Sequence, residues 1–167
     1  GDSTRTRVFI LAEDVSGTWH QGRWSEHEGL FALAGLPLAV EFRHVSWAVQ
    51  PVFDALTARR VALACVDVPA RPDLFPRLAI ATNPDLFYIR FHGRNTAGWR
   101  SGSMQQQFDY DYSADELAQW SQTRIPEMAR QARTGVIFFN NHVRGQAPRN
   151  ARMLIEQLAD GTRDRSH

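Results

Sequence analysis

The chain contains no lysine: all 19 of its basic residues are arginines. That absence excludes Schiff-base catalysis and a P-loop lysine. It leaves a permanent charge on a planar fork that suits carboxylates and phosphates. The ordinary cause of such a replacement is a GC-rich bacterial genome. Cysteine is almost missing too. Cys65 stands alone, which excludes an internal disulfide and fits a reducing, cytoplasmic setting. Net charge is nearly absent at +1, so nothing draws the chain strongly to nucleic acid or an anionic membrane. No apolar run approaches the ~20 residues that span a bilayer. The opening "GDSTRTRVFILAEDV" turns acidic too soon for a secretory leader and begins on Gly1 rather than Met. HExxH, CxxC, GxGxxG and nucleophile-elbow spacings are lacking, which argues against the corresponding metal, dinucleotide and hydrolase readings.

What is present is 43% hydrophobic and 22% charged, an ordinary globular balance. Length predicts one domain over 1–160, followed by a disordered tail over 161–167. Five short runs are apolar on both faces: 7–13, 37–44, 60–68, 86–93 and 135–141. Strands of a parallel sheet covered by helices read this way. Between them, 49–60 places Val52, Ala55 and Leu56 on one helical face. The stretch 112–132 opens with a capping box, Ser113 and Glu116, and Pro126 should kink or split it. A last helix over 147–161 ends on Gly161 as a C-cap. The long connection from Gly93 to Tyr112 reads as a lid or as a cover for a helix face.

Strand–helix alternation implies βα units, in which function collects beyond the carboxyl ends of the strands. Each run breaks into polar groups there. The second ends in Glu41, Arg43 and His44, the third in Asp67. The fourth carries Arg90 and His92 and then Arg94 and Asn95, and the last ends in Asn140, Asn141 and His142. Alternation puts Glu41 with Arg43 on one face and Tyr88, Arg90 and His92 on one face. Buried charges need partners, so Glu41 should pair with Arg43 or Arg90.

Four blocks, "AVEFRHVSW" (39–47), "YIRFHGRN" (88–95), "YDYSADELAQW" (110–120) and "FFNNHVRGQAPRNA" (138–151), resemble the YecE-like family, domain of unknown function 72. The resemblance covers about 37–160. It implies a TIM-barrel-like α/β fold with parallel strands, of which this chain corresponds to the C-terminal half of an eight-stranded barrel. It implies no reaction.

The expected function is accordingly that of an enzyme, or the remnant of one, acting on a small phosphorylated or carboxylated substrate. His92 with Glu41 or Asp67 moves protons. Arg43, His44, Arg90, Arg94, Asn95, Asn140, Asn141, Arg144 and Gly145 hold the substrate. No metal and no cofactor is expected, although Glu41, Asp67, His92 and His142 are acceptable ligand types. The alternative is a non-catalytic module for nucleic acid or another anionic partner, with Trp99, Tyr110 and Tyr112 stacking on bases. Near-zero net charge counts against that. Each polar group also has a bland reading as an ion pair, a turn residue or a cap. An open sheet of five strands should expose edges at 7–13 and 135–141 and favour self-association.

Overall fold

The computed structural model describes residues 10–15 and 38–163, with side chains described from 38 to 161. Its sheet has five parallel strands in the order β1-β2-β3-β4-β5. They are β1 (Ile10–Val15), β2 (Leu38–Phe42), β3 (Ala62–Asp67), β4 (Leu86–Phe91) and β5 (Thr134–Phe139). Neighbours in the sheet are neighbours in sequence. That is the strand order around a (β/α) barrel, whereas doubly wound sheets reverse direction partway. β1 and β5 form the two edges of the described sheet, as the sequence predicts. Residues 7–9 of the first expected strand lie outside the described residues.

Every residue of β3 and β4 is buried. Both faces are therefore covered, which is why these strands carry no apolar–polar alternation. One face packs Val40, Phe42, Leu63, Cys65, Ile89 and Phe91 against the helical layer. The other gathers a smaller cluster of Ala39, Ala62, Ala64, Leu86 and Tyr88 with Val136. On the β5 edge Phe138 stacks on Tyr88 with centroids 5.6 Å apart yet stays 51% exposed.

β2 and β4 stop short of the expected ends. Arg43, His44 and His92 lie just beyond them. The ladder still continues by one bond, since His92 N–H donates to the Asp67 carbonyl at 3.0 Å. Gly93 then takes φ +95° and breaks the extended run, a conformation that glycine adopts without strain.

The helical layer begins with α1 (Gln50–Ala58), which buries Val52 and Leu56. Within 93–112, two short helices form where the sequence reads only a long connection: α2 (Thr96–Arg100) and α3 (Met104–Gln107). Their causes are local. Asn95 accepts from Gly98 N–H and caps α2, and Ser103 accepts from Gln106 N–H and caps α3. The two helices touch at Gly98, where a Cβ would lie 2.1 Å from the Gln106 carbonyl oxygen. The capping box forms, with Ser113 and Glu116 exchanging side-chain and backbone bonds at the start of α4 (Ala114–Gln119). A π turn over Trp120–Arg124 follows, then α5 (Ile125–Gln131) with Pro126 in its first turn. Proline lacks the N–H that a continuous helix needs, so the split falls there. α6 (Gln146–Arg163) runs past Gly161, which keeps an ordinary helical φ instead of the left-handed one expected of a C-cap. Residues 164–167 of the expected tail lie outside the described residues.

Candidate functional site at the carboxyl ends of the strands

Two polar clusters occupy the carboxyl ends of the strands, and the pleat places them on opposite faces. The first is centred on Glu41, near the end of β2. Arg90 Nη1 donates to Glu41 Oε2 at 2.9 Å, and His92 Nε2 meets Glu41 Oε1 at 3.1 Å. Arg43 Nε lies 3.3 Å from Glu41 Oε1. Glu41 therefore pairs with both expected arginines, and with His92 as well. Glu41 and His92 are each 1% exposed and Arg90 is 8% exposed. Arg43 keeps a third of its side chain in solvent, and Glu41 is the one partner of that side chain among the described residues.

Burial alone would raise the Glu41 carboxyl. The hydrogen bond and charge of His92 and the charges of Arg43 and Arg90 outweigh it and bring the group down to about 2. Glu41 is a carboxylate at neutral pH and can only accept. The hydrogen between the pair must then sit on His92 Nε2, and in the neutral form of the ring the lone pair lies on Nδ1. That Nδ1 is buried and has no hydrogen-bond partner among the described residues. The ring is enclosed by Phe108 at 5.7 Å and, edge-on, by Trp99 at 6.4 Å, both from the α2–α3 segment. The indole N–H of Trp99 is equally buried and unpartnered. A cavity of about 10 Å³ lies between Glu41, Arg43 and Trp99, walled by Val66, Val68, Leu74 and Phe75.

The second cluster surrounds Asp67. Asp67 shares its face with Leu63 and Cys65, which pack on the helices, and its register partner is Phe91 rather than Arg90. It is 0% exposed. Arg94 grips its two oxygens at 2.8 and 2.7 Å, Trp120 Nε1 donates at 2.7 Å and the Tyr112 hydroxyl at 2.9 Å. Burial and the Asp67 charge push the Tyr112 phenol well above its ordinary value, so it stays a donor. Tyr112 also accepts from Gly93 N–H at 2.8 Å. Of the two expected partners of His92, Glu41 meets its side chain and Asp67 does not. Asp67 reaches His92 only through the backbone, and its carboxylate is already taken by four donor contacts.

Several other expected site residues are engaged elsewhere. His44 caps the 3-10 turn Val45–Trp47 by accepting from Ser46 N–H at 3.2 Å. Asn95 caps α2 and ties its amide to the Gln106 and Asp109 carbonyls. Arg94 belongs to Asp67. The backbone N–H of Asn140 extends the sheet by donating to Phe91 at 2.8 Å. Asn141 is fully buried and donates to the Tyr110 carbonyl and to Asn150. Arg144 binds the carboxylate of Asp109 at 2.7 and 2.9 Å from a left-handed backbone, and Gly145 follows at φ +69°. The expected anion loop thus already holds an internal acid. Trp99 and Phe108 close the first cluster, Tyr112 and Trp120 complete the second, and Gln146 ties Asp109 and the Tyr110 backbone beside the Arg144 loop. The available sequence signal was that four of these five lie in or beside the quoted blocks.

A roomier depression, about 820 Å³, lies on the outer helical layer beside Ser121, Pro126, Ala129, Arg130, Gln157 and Gly161. None of its lining residues belongs to either polar cluster, so volume does not mark the chemistry here. Among the described residues, no three His, Cys, Asp or Glu side chains converge as a metal site requires. No described helix is long and apolar enough to cross a membrane.

A family profile described as "Protein of unknown function DUF72" matches residues 20–166. It takes in residues 20–36, which the four quoted blocks leave out. The UPF0759 protein YunF of Bacillus subtilis is 27% identical over 146 residues, covering 81% of this chain and 50% of the relative. A DUF72 family protein from Thermotoga maritima superposes with a TM-score of 0.83 at 33% identity, over 91% of this chain and 58% of that one. A DUF72 family protein from Enterococcus faecalis gives 0.78 at 26% identity, over 92% of this chain and 61% of that one. The chain therefore spans about half the length of the curated relative it matches. With a profile match across most of its length and the same fold at 33% identity, the chain belongs to the DUF72 family.

Proposed function

We propose that this chain binds a small phosphorylated or carboxylated ligand at the carboxyl ends of β2 and β4, with His92 as the proton-accepting group. One observation carries the reading: an ionised, buried Glu41 holds His92 by Nε2 and leaves Nδ1 unpartnered. Burying a histidine–carboxylate pair with an open nitrogen is costly unless that nitrogen has a use. Glu41 orients the ring. It does not itself exchange protons near neutrality, because it is already deprotonated there. Arg90 anchors Glu41. Arg43, with a third of its side chain in solvent and its terminal nitrogens unclaimed among the described residues, is the clamp for the ligand's anionic group. Asp67, Tyr112 and Arg94 act at one remove, by holding the Asp67–Gly93 backbone from which His92 projects. His44, Asn95 and the loop over 140–145 are not needed for this reading.

Thermal melting against a panel of phosphosugars and organic acids tests it. A true ligand at a hundred times its Kd adds about 2.7 kcal/mol, which is a shift of about 5–10 °C in a domain of this size. Arg43→Ala should remove most of that shift, while the unliganded protein melts somewhat lower because Glu41 loses one of its charge partners. If no compound moves the wild-type transition, or if Arg43→Ala responds like the wild type, the reading fails.

A further inference from the structure

We infer that the ligand carries a free hydroxyl, received between His92 Nδ1 and the Trp99 indole N–H. The inference rests on the reading of the site above and narrows its substrate class. It starts from two buried polar atoms without partners, both on the boundary between β4 and the α2–α3 segment. They are of opposite kind. The indole nitrogen can only donate, whereas Nδ1 of neutral His92, with Nε2 bound to the Glu41 carboxylate, can only accept. Leaving each unsatisfied costs about 1–3 kcal/mol. A carboxylate oxygen would suit Trp99 and repel the lone pair on Nδ1. An ammonium would suit Nδ1 and oppose the indole hydrogen. A hydroxyl serves both, donating to Nδ1 through its hydrogen and accepting from Trp99 through its oxygen. Water has the same capacity and is what the hydroxyl would displace.

A small cavity adjoins Trp99, Glu41 and Arg43, and His92 is not among its lining residues. The cavity bordered by Trp99, Glu41 and Arg43 holds about 10 Å³, room for about one water-sized group and no more. Its walls, Val66, Val68, Leu74 and Phe75, offer no side-chain hydrogen bond. Arg43 stands on its rim with a third of its side chain in solvent. A hydroxyl seated beside Trp99 therefore leaves the ligand's anionic group at the arginine. The class implied is a small hydroxy acid or polyol phosphate.

Two pairs of probes test this by calorimetry: glycerol 3-phosphate against propyl phosphate, and lactate against propionate. In the wild-type chain the hydroxylated member of a pair should bind at least about 10-fold more tightly, because a site built around a hydroxyl rejects the analogue lacking it. Trp99→Phe keeps the aromatic cover and removes only the N–H. It should shrink the ratio to about 3-fold or less while leaving the deoxy member's affinity in place. Should that variant fold poorly, the Trp99 indole N–H resonance of the wild type decides, since it should move with lactate or glycerol 3-phosphate and stay still with the deoxy probes. Equal affinities within each pair, with binding still dependent on Arg43, overturn the hydroxyl inference and leave the anion site standing. A ratio untouched by Trp99→Phe overturns the role given to Trp99. No binding of any of the four overturns both readings.

Discussion

Asp67→Ala is expected to destabilise the fold by about 3–5 kcal/mol, the range seen when one partner of a buried charged pair is removed. The carboxylate is wholly buried and takes hydrogen bonds from Arg94, Tyr112 and Trp120. Alanine would take the acceptor from the Tyr112 phenol and the Trp120 indole N–H at once and leave Arg94 with Glu116 as its remaining carboxylate. These donors come from the loop after β4 and from the start and end of α4, so the same substitution loosens the helical layer from the sheet. Asp67→Asn should fall between, since its amide keeps one acceptor but turns an NH₂ group toward a donor. Urea unfolding reads the effect as a lower midpoint at unchanged slope. An unfolding free energy within about 0.5 kcal/mol of the wild type would mean that Asp67 is not the anchor described.

Acid should remove the contribution of Glu41 in a defined window. Its carboxyl lies at about 2 in the folded chain against 4.5 in the unfolded one. A depressed folded value stabilises fully above the unfolded one, and the contribution fades as pH falls from about 4.5 toward 2. The difference corresponds to about 3 kcal/mol at pH 7. Glu41→Gln should therefore cost about that much at pH 7, and the gap to the wild type should narrow steadily below pH 4. Unfolding midpoints for both proteins at pH 7 and pH 3 check this. A gap as large at pH 3 as at pH 7 would refute an ionised, stabilising Glu41.

Much of this site is legible from alternation alone. Glu41, Arg90 and His92 fall on matching faces of strands whose other residues are apolar, and buried charge needs a partner; the Glu41–Arg90 pairing follows. The same alternation places Asp67 with Leu63 and Cys65, on the face that meets the helices, and so separates it from His92. Weighing Asp67 by its position at a strand end, without its parity, puts it in the wrong cluster. Its partners Tyr112 and Trp120 lie 45 and 53 residues further on, a separation that no local pattern encodes. α2 and α3, of 5 and 4 residues, are too short to show a helical period. Asn95 and Ser103 mark them only as caps. Gly161 has the residue type of a C-cap without the backbone angle, since neighbours rather than composition decide where a helix stops.

The central claim is that an ionised Glu41 fixes the His92 ring and leaves Nδ1 open. Long-range ¹H–¹⁵N correlation of the His92 ring at alkaline pH measures this directly. The account predicts the Nε2–H tautomer, with a protonated Nε2 and a bare Nδ1, and predicts that Glu41→Gln weakens that preference. A hydrogen found on Nδ1, with Nε2 bare toward Glu41, would contradict the arrangement on which the proposed site depends.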